Sequence, residues 1–188
     1  MHEKAKAQTI KRITKKGPPA EVHISMPPGP SPIALTILTP LPFALEVKSE
    51  QGVIVSAQFV RQKRASAARR PADPVLAEAA AQVRAYFARR LRCFDLPLKF
   101  EGTPFCQTVW NCVAGLSFGE FVSYADVARA IGRPLAHRGV AMAMGRTPID
   151  LFVPAHRVVG ADGRVKGATP GGSRLALVAF ERKGRAYS

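Results

Sequence analysis

The chain has 188 residues, 47% of them hydrophobic and 22% charged, which allows one or two small domains and excludes wholesale disorder. Its formal net charge of +15, from 28 Lys and Arg against 13 Asp and Glu, favours a polyanionic partner, most simply nucleic acid. No run of eighteen apolar residues is present to span a bilayer, and the N-terminus lacks the apolar core of a secretory signal. An intracellular protein is therefore expected, in cytoplasm or nucleoid if the source is bacterial. The three cysteines, Cys93, Cys106 and Cys112, form no C-x-x-C pair, which excludes a disulfide framework and structural zinc. No metal or cofactor is expected.

Residues 1–28 carry six basic and two acidic side chains and run into the proline-rich GPPA and MPPGPSP. Residues 1–30 thus read as a basic, flexible extension that either touches phosphates or simply solubilises. Ile33–Leu38, Phe43–Lys48 and Val53–Phe59 are short and rich in Val, Ile, Leu and Phe. Pro40 and Pro42 separate the first two, Glu50-Gln51-Gly52 turns the second into the third, and an antiparallel sheet follows. The segment Arg61–Arg70 adds five basic residues and no acidic one. Val75–Arg92 places Leu76, Ala79, Ala80, Val83, Tyr86 and Phe87 at helical spacing. Residues 31–98 are thus expected to form a small α/β lobe.

Residues 99–188 read as a mostly helical lobe, with twelve basic and six acidic residues. Thr103-Pro104 is an N-cap followed by proline at the first helical position. Phe105, Val109, Val113 and Leu116 then form one apolar stripe, with Trp110 read as core. Ser123-Tyr124-Ala125-Asp126 fits a capping box before a helix over Ser123–Ile131. Gly132 closes that helix, and Pro134 opens a second over Leu135–Gly145. The pair has helix-turn-helix spacing. Its second helix reads LAHRGVAMAMG, with Ala136, Gly139, Ala141 and Ala143 small and Arg138 its one strong cation. Small residues permit close approach, either to a DNA groove or to a neighbouring helix.

Several ordered motifs follow at consistent spacing: GTPF…VW, FGEFVSYADVARAIGRP, HRGVAMAMGRTP, VPAHRVVGADGRV and PGG. In these the sequence resembles the O6-alkylguanine-DNA alkyltransferase family from about Ile33 to Gly184. The resemblance implies an RNase-H-like α/β N-terminal lobe and a winged helix-turn-helix-like C-terminal lobe. It implies minor-groove binding to double-stranded DNA containing O6-alkylguanine, with flipping of the damaged base. Arg138 matches the residue that fills the vacated space, and Tyr124 the residue that turns the phosphate. Ser123, Ala136 and Gly139 complete the implied DNA contacts. Pro154-Ala155-His156-Arg157-Val158 matches the PCHRV motif. His156 matches the histidine base and Glu181 its glutamate partner. Tyr124, Pro154, Ala155, Val158 and Thr169 are the implied lesion pocket. A monomer is expected.

The chain departs from the family at its centre, because position 155 is alanine where the family has its nucleophilic cysteine. Alkyl transfer needs an attacking lone pair, and a methyl group has none. Cys106 and Cys112 fall on the helix after Thr103, neither is followed by His, and both read as buried structural cysteines. Thr147 replaces an asparagine that ties the following turn to backbone groups, which threonine does only in part. The stretch from Pro170-Gly171-Gly172 to Glu181 is about two residues short of the family's. Three readings follow. The chain is a non-enzymatic sensor of O6-alkylguanine, resembling the alkyltransferase-like branch, with nucleotide excision repair proteins as implied partners. Alternatively it is a methylated-DNA–protein-cysteine methyltransferase with Ala155 in place of its cysteine. A third reading is a general DNA-binding or regulatory protein.

Overall fold

The computed structural model describes residues 32–61, 73–165 and 172–183. The basic extension and the Arg61–Arg70 segment lie outside these residues, apart from Arg61 itself. The chain divides into two units, each with its own interior. One comprises Glu21–Glu101 together with Pro148–Phe152, and the other holds Gly102–Thr147 and the chain from Val153 onward. The break between the units falls after Glu101, and five residues from the later chain return to the first unit.

In the first unit, strands β1 (Ile33–Leu38), β2 (Phe43–Glu50) and β3 (Val53–Arg61) form an antiparallel meander. Gln51 and Gly52 both have positive φ, 50° and 77°, the two-residue turn whose twist suits a hairpin. Alternation puts Leu45 and Val47 inside on β2, and a register irregularity opposite Lys48 and Ser49 lets Ile54 and Ala57, three residues apart on β3, both face inward. Helix α1 (Pro74–Phe87) covers them with Leu76, Ala79, Ala80, Val83 and Tyr86, while Phe87 is half-buried. Asp73 caps α1 by accepting from the Val75 N–H at 2.9 Å, and it accepts a second hydrogen bond from Ser49 of β2. The outer edge of β3 is closed by two short parallel bridges, Ile54 with Leu98 and Ala57 with Ile149. An edge so paired is not open to another strand.

The helix expected over Val75–Arg92 stops at Phe87. The N–H of Arg90 bonds to the carbonyl of Ala85 and that of Arg89 to Tyr86, at 2.9 Å each, and Arg89 has φ 60°. This is a Schellman ending with arginine where glycine is usual, so the residue type carries no stop signal.

The second unit opens with helix α2 (Pro104–Ala114), capped by Thr103 with Pro104 at the first turn. Its buried residues are Val109, Trp110 and Val113, with Leu116 just beyond, while Phe105 is half-buried. The Trp110 ring is core, and its Nε1–H donates to the carbonyl of Ala143 at 2.9 Å. Strand β4 (Val122–Ser123) leads into helix α3 (Tyr124–Ala130) through the expected capping box between Ser123 and Asp126. Gly132, at φ 72°, ends α3 in a full Schellman motif: its N–H reaches Arg129 and the N–H of Arg133 reaches Ala128. Helix α4 (His137–Gly145) starts two residues later than expected. Pro134 and Leu135 form the turn, and Ala136 is an N-cap without a side-chain hydrogen bond. A 3₁₀ turn (Ala155–Arg157), strand β5 (Val158–Val159) and helix α5 (Ser173–Lys183) complete the unit. The expected order of an α/β lobe followed by a helical lobe is the order observed. No helix among the described residues is long and apolar enough to cross a membrane.

Gly102 packs beneath Trp110, and a Cβ there would meet the ring at 2.7 Å. The ring is pinned by its Nε1–H bond and cannot retreat. Gly102→Ala is therefore expected to cost about 1–3 kcal/mol through overpacking, read as a lower urea midpoint with unchanged m-value. An unchanged midpoint would show that the ring yields.

Candidate functional site

Every residue from Leu151 to Gly160 is buried. Two tight turns shape the entry to this run. The N–H of Phe152 bonds to the carbonyl of Asp150 at 2.9 Å across Leu151, whose φ is 68°. A three-residue turn with positive φ at a bulky residue is rare and strained. The N–H of Ala155 then bonds to the carbonyl of Val153 at 2.7 Å across Pro154, the relaxed form of the same turn. The 3₁₀ turn follows, and β5 pairs in parallel with β4, Val158 against Val122 and Val159 against Ser123. That ladder sets Tyr124, the residue after Ser123, beside the end of the buried run.

Inside the run lie an arginine and a histidine, each 1% exposed, facing a carboxylate, Glu181 of α5, that is 0% exposed. Arg157 donates through Nε and Nη2 to Glu181 at 2.8–3.2 Å, and through Nη1 to the Leu116 carbonyl at 2.6 Å. His156 Nε2 lies 2.9 Å from Glu181 Oε1. The N–H of Gly119 donates to Glu181 Oε2 at 2.9 Å. Gly119 can aim that N–H because it sits at φ 73° in the Ser117–Glu120 turn, closed by a 3.0 Å bond between its ends.

These contacts fix the charges. Burial alone pushes the Glu181 carboxyl up, but the hydrogen bonds from His156 and Arg157, with the positive charge of Arg157, outweigh it and hold the carboxyl well below the usual range. Burial pulls the His156 imidazole down, and the nearby Arg157 and Arg174 charges reinforce this against the pull of Glu181. His156 is thus neutral at neutral pH. Its Nε2–H donates to the carboxylate, which leaves Nδ1 with the lone pair. Such an imidazole, oriented by a carboxylate, is fit to take a proton from a nucleophile.

The neighbouring residue supplies no nucleophile: Ala155 is buried, and its side chain ends at a methyl group. Cys106 and Cys112 are half-buried rather than buried as expected, Cys93 is half-buried too, and burial pushes the Cys112 thiol up to about 11, away from thiolate character.

The other expected site residues are spread over this unit. Pro154 and Val158 are buried in the run with Ala155. Tyr124 begins α3 and is half-buried; Arg138, in the first turn of α4, is exposed. Ser123 spends its N–H and hydroxyl on Asp126, at 2.8 and 2.7 Å. Ala136 is half-buried at the N-cap. Gly139 faces Phe105 of α2, whose ring would lie 3.1 Å from a Cβ, so its small size serves helix packing. Thr169 lies outside the described residues. Sequence reasoning missed Arg157 and Gly119 as partners of Glu181. The signal was present: a cation inside the otherwise apolar LFVPAHRVVG requires a buried carboxylate.

Thr147 has a buried Oγ1 without a hydrogen-bond partner among the described residues. Among the described residues no group of His, Cys, Asp and Glu could hold a metal ion.

Comparison with known proteins places both units. Residues 104–183 match the family described as 6-O-methylguanine DNA methyltransferase, DNA binding domain, and residues 39–100 match its ribonuclease-like domain. The chain is 44% identical over 94 residues to a methylated-DNA–protein-cysteine methyltransferase of Methanosarcina barkeri, covering 50% of this chain and 60% of that protein. It is 44% identical over 107 residues to the constitutive enzyme of that name in Bacillus subtilis, covering 57% and 64%. The matched region thus spans less than two thirds of these relatives' length. Among solved structures, Mycobacterium tuberculosis OGT in complex with DNA is similar with a TM-score of 0.65 and 35% identity, over 79% of this chain and 91% of that one.

Two outcomes are expected from the buried groups. His156 binds a proton when unfolded, near pH 6.5, but resists it when folded, so its contribution to stability is present above that pH and lost below it. The depressed Glu181 carboxyl adds a further loss as pH falls below about 4.3. Urea midpoints should therefore decline from pH 7 to pH 5, and His156→Gln should flatten that decline; parallel curves for the two proteins would refute the assignment. Thr147→Val removes an unsatisfied hydroxyl without changing shape and should leave stability unchanged or raise it by up to about 1 kcal/mol. A clear loss by thermal denaturation would mean the hydroxyl has a partner.

Proposed function

Because the chain belongs to the 6-O-methylguanine-DNA methyltransferase family, we propose that it binds O6-alkylguanine in duplex DNA and holds the lesion without taking its alkyl group. The observation that carries this reading is Ala155, a buried methyl group beside a His156–Glu181 pair that is otherwise complete. The pair can accept a proton, but nothing adjacent has one to give and a lone pair to follow it. Binding does not depend on that lone pair. Extruding a base costs a few kcal/mol, less for a damaged and weakly paired one. Arg138 takes the vacated space, Tyr124 turns the phosphate, and Pro154, Ala155, Val158 and Thr169 receive the base. A protein that holds a lesion without repairing it acts by marking it, and nucleotide excision repair proteins are the partners this implies. The net charge of +15 suits the phosphate contacts.

Fluorescence anisotropy at one near-physiological salt concentration tests the reading. A duplex with one O6-methylguanine should bind roughly tenfold or more tightly than the same duplex with guanine, about 1.4 kcal/mol. Mass spectrometry after incubation should show no methyl added to the protein, and Ala155→Cys should gain one. Equal binding of the two duplexes would point to general DNA binding. A methyl group on Cys106 or Cys112 of the unaltered protein would overturn the absence of transfer.

A further inference from the structure

The stretch 133–146, RPLAHRGVAMAMGR, contains three arginines and no acidic residue. Arg133, Arg138 and Arg146 are all exposed. Within this cationic surface lie the two most exposed large apolar side chains of the described residues, Leu135 at 92% and Met142 at 59%. Met142 is four residues after Arg138 on α4 and so shares its face, one turn along. Leu135 precedes the N-cap Ala136, a position from which an apolar residue commonly folds back on the fourth helical residue. Here that residue, Val140, is 0% exposed while Leu135 remains bare, so no such staple forms. Neither side chain contributes to the interior of its unit.

We propose that Leu135 and Met142 are apolar contacts to the DNA minor groove on either side of Arg138, with Leu135 acting as a wedge at a base step. The inference rests on the DNA-binding reading above and adds to it a source of sequence context. The chemistry of the surface selects the occupant. The groove walls are deoxyribose carbons, which suit Met142, and its rims are phosphates, which suit Arg133 and Arg146. Apolar wedges that partly unstack a step are a recurrent device of minor-groove proteins. The energy of opening a step depends on its sequence, being lowest at pyrimidine–purine steps and highest in stiff A-tracts. The pair thus favours lesions flanked by deformable steps, a preference that no hydrogen bond to a base edge would create.

The test compares the unaltered protein with Leu135→Ser, Met142→Ser and the double variant. Circular dichroism melts should coincide, since the replaced side chains are exposed. Anisotropy is measured over a salt series on lesion duplexes with a TA step or an A-tract beside the lesion, and on an undamaged duplex. The double variant should lose roughly tenfold in affinity or more, from two lost apolar contacts. Its slope of log K against log salt should be unchanged, because apolar contacts release no counterions. The unaltered protein should prefer the TA-flanked lesion, and Leu135→Ser should erase that preference. Affinities within about twofold of the unaltered protein, or a loss accompanied by a shallower salt slope, would overturn the proposal. So would an unaltered protein that sediments as a dimer with monomeric variants, or that binds anionic vesicles through these residues. Equal binding of damaged and undamaged DNA by the unaltered protein, with the same slope-neutral loss in the double variant, would retain the wedge and overturn the lesion reading.

Discussion

A carboxylate with no exposed surface holds the second unit's functional run in place. Glu181 receives hydrogen bonds from Arg157, His156 and the backbone of Gly119, and Arg157 carries the network on to the Leu116 carbonyl. Two opposite charges out of water are tolerable only when every donor and acceptor is used, and here they nearly are. Removing one partner would strand the other, at a cost of about 3–5 kcal/mol. The pair joins α5, the 3₁₀ turn, the end of α2 and the Ser117–Glu120 turn. The position of Ala155 follows from this clamp, because Ala155 opens the 3₁₀ turn that Arg157 closes.

Much of the architecture was legible because backbone ends leave chemical signatures. Thr103-Pro104, the Ser123–Asp126 box and Gly132 each use a residue type that few other roles demand, and each bond they predict is present. The errors arose where the same geometry is made by an uninformative residue. Arg89 adopts the left-handed conformation that glycine would have advertised, so α1 was read five residues too long. Pro134 looked like a helix start, yet the turn extends to Ala136, which has no side chain with which to cap. The return of Pro148–Phe152 to the edge of β3 has no local signal, since a two-residue bridge needs only a free strand edge.

The site was legible in a different way. Its residues came from a resemblance, and their grouping came from tertiary contacts that no periodicity encodes. His156 and Arg157 are adjacent in sequence, but their partner is 24 residues beyond Arg157. Glu181 follows a stretch about two residues short of the family's, yet its side chain makes both contacts. Gly139 carries a less specific signal. Its small size permits close approach either to a DNA groove or to a neighbouring helix, and within the unit it faces Phe105. A small residue on a helix marks a close neighbour without saying which one.

The clamp also explains how binding and chemistry can separate. A histidine–carboxylate pair kept only to activate a thiol would have no reason to persist beside alanine. Here the carboxylate is held by Arg157 and Gly119 whether or not a thiol is present, and the histidine saturates its remaining acceptor capacity. The side chain at position 155 makes none of the bonds of the network. The groups proposed to meet DNA stand on α3, on α4 and in the turns beside them, and α3 is fixed at both ends by the Ser123–Asp126 box and the Gly132 ending. The surface proposed to bind the lesion and the residue at position 155 are therefore held by separate bonds, so the proposed binding does not depend on a thiol at that position.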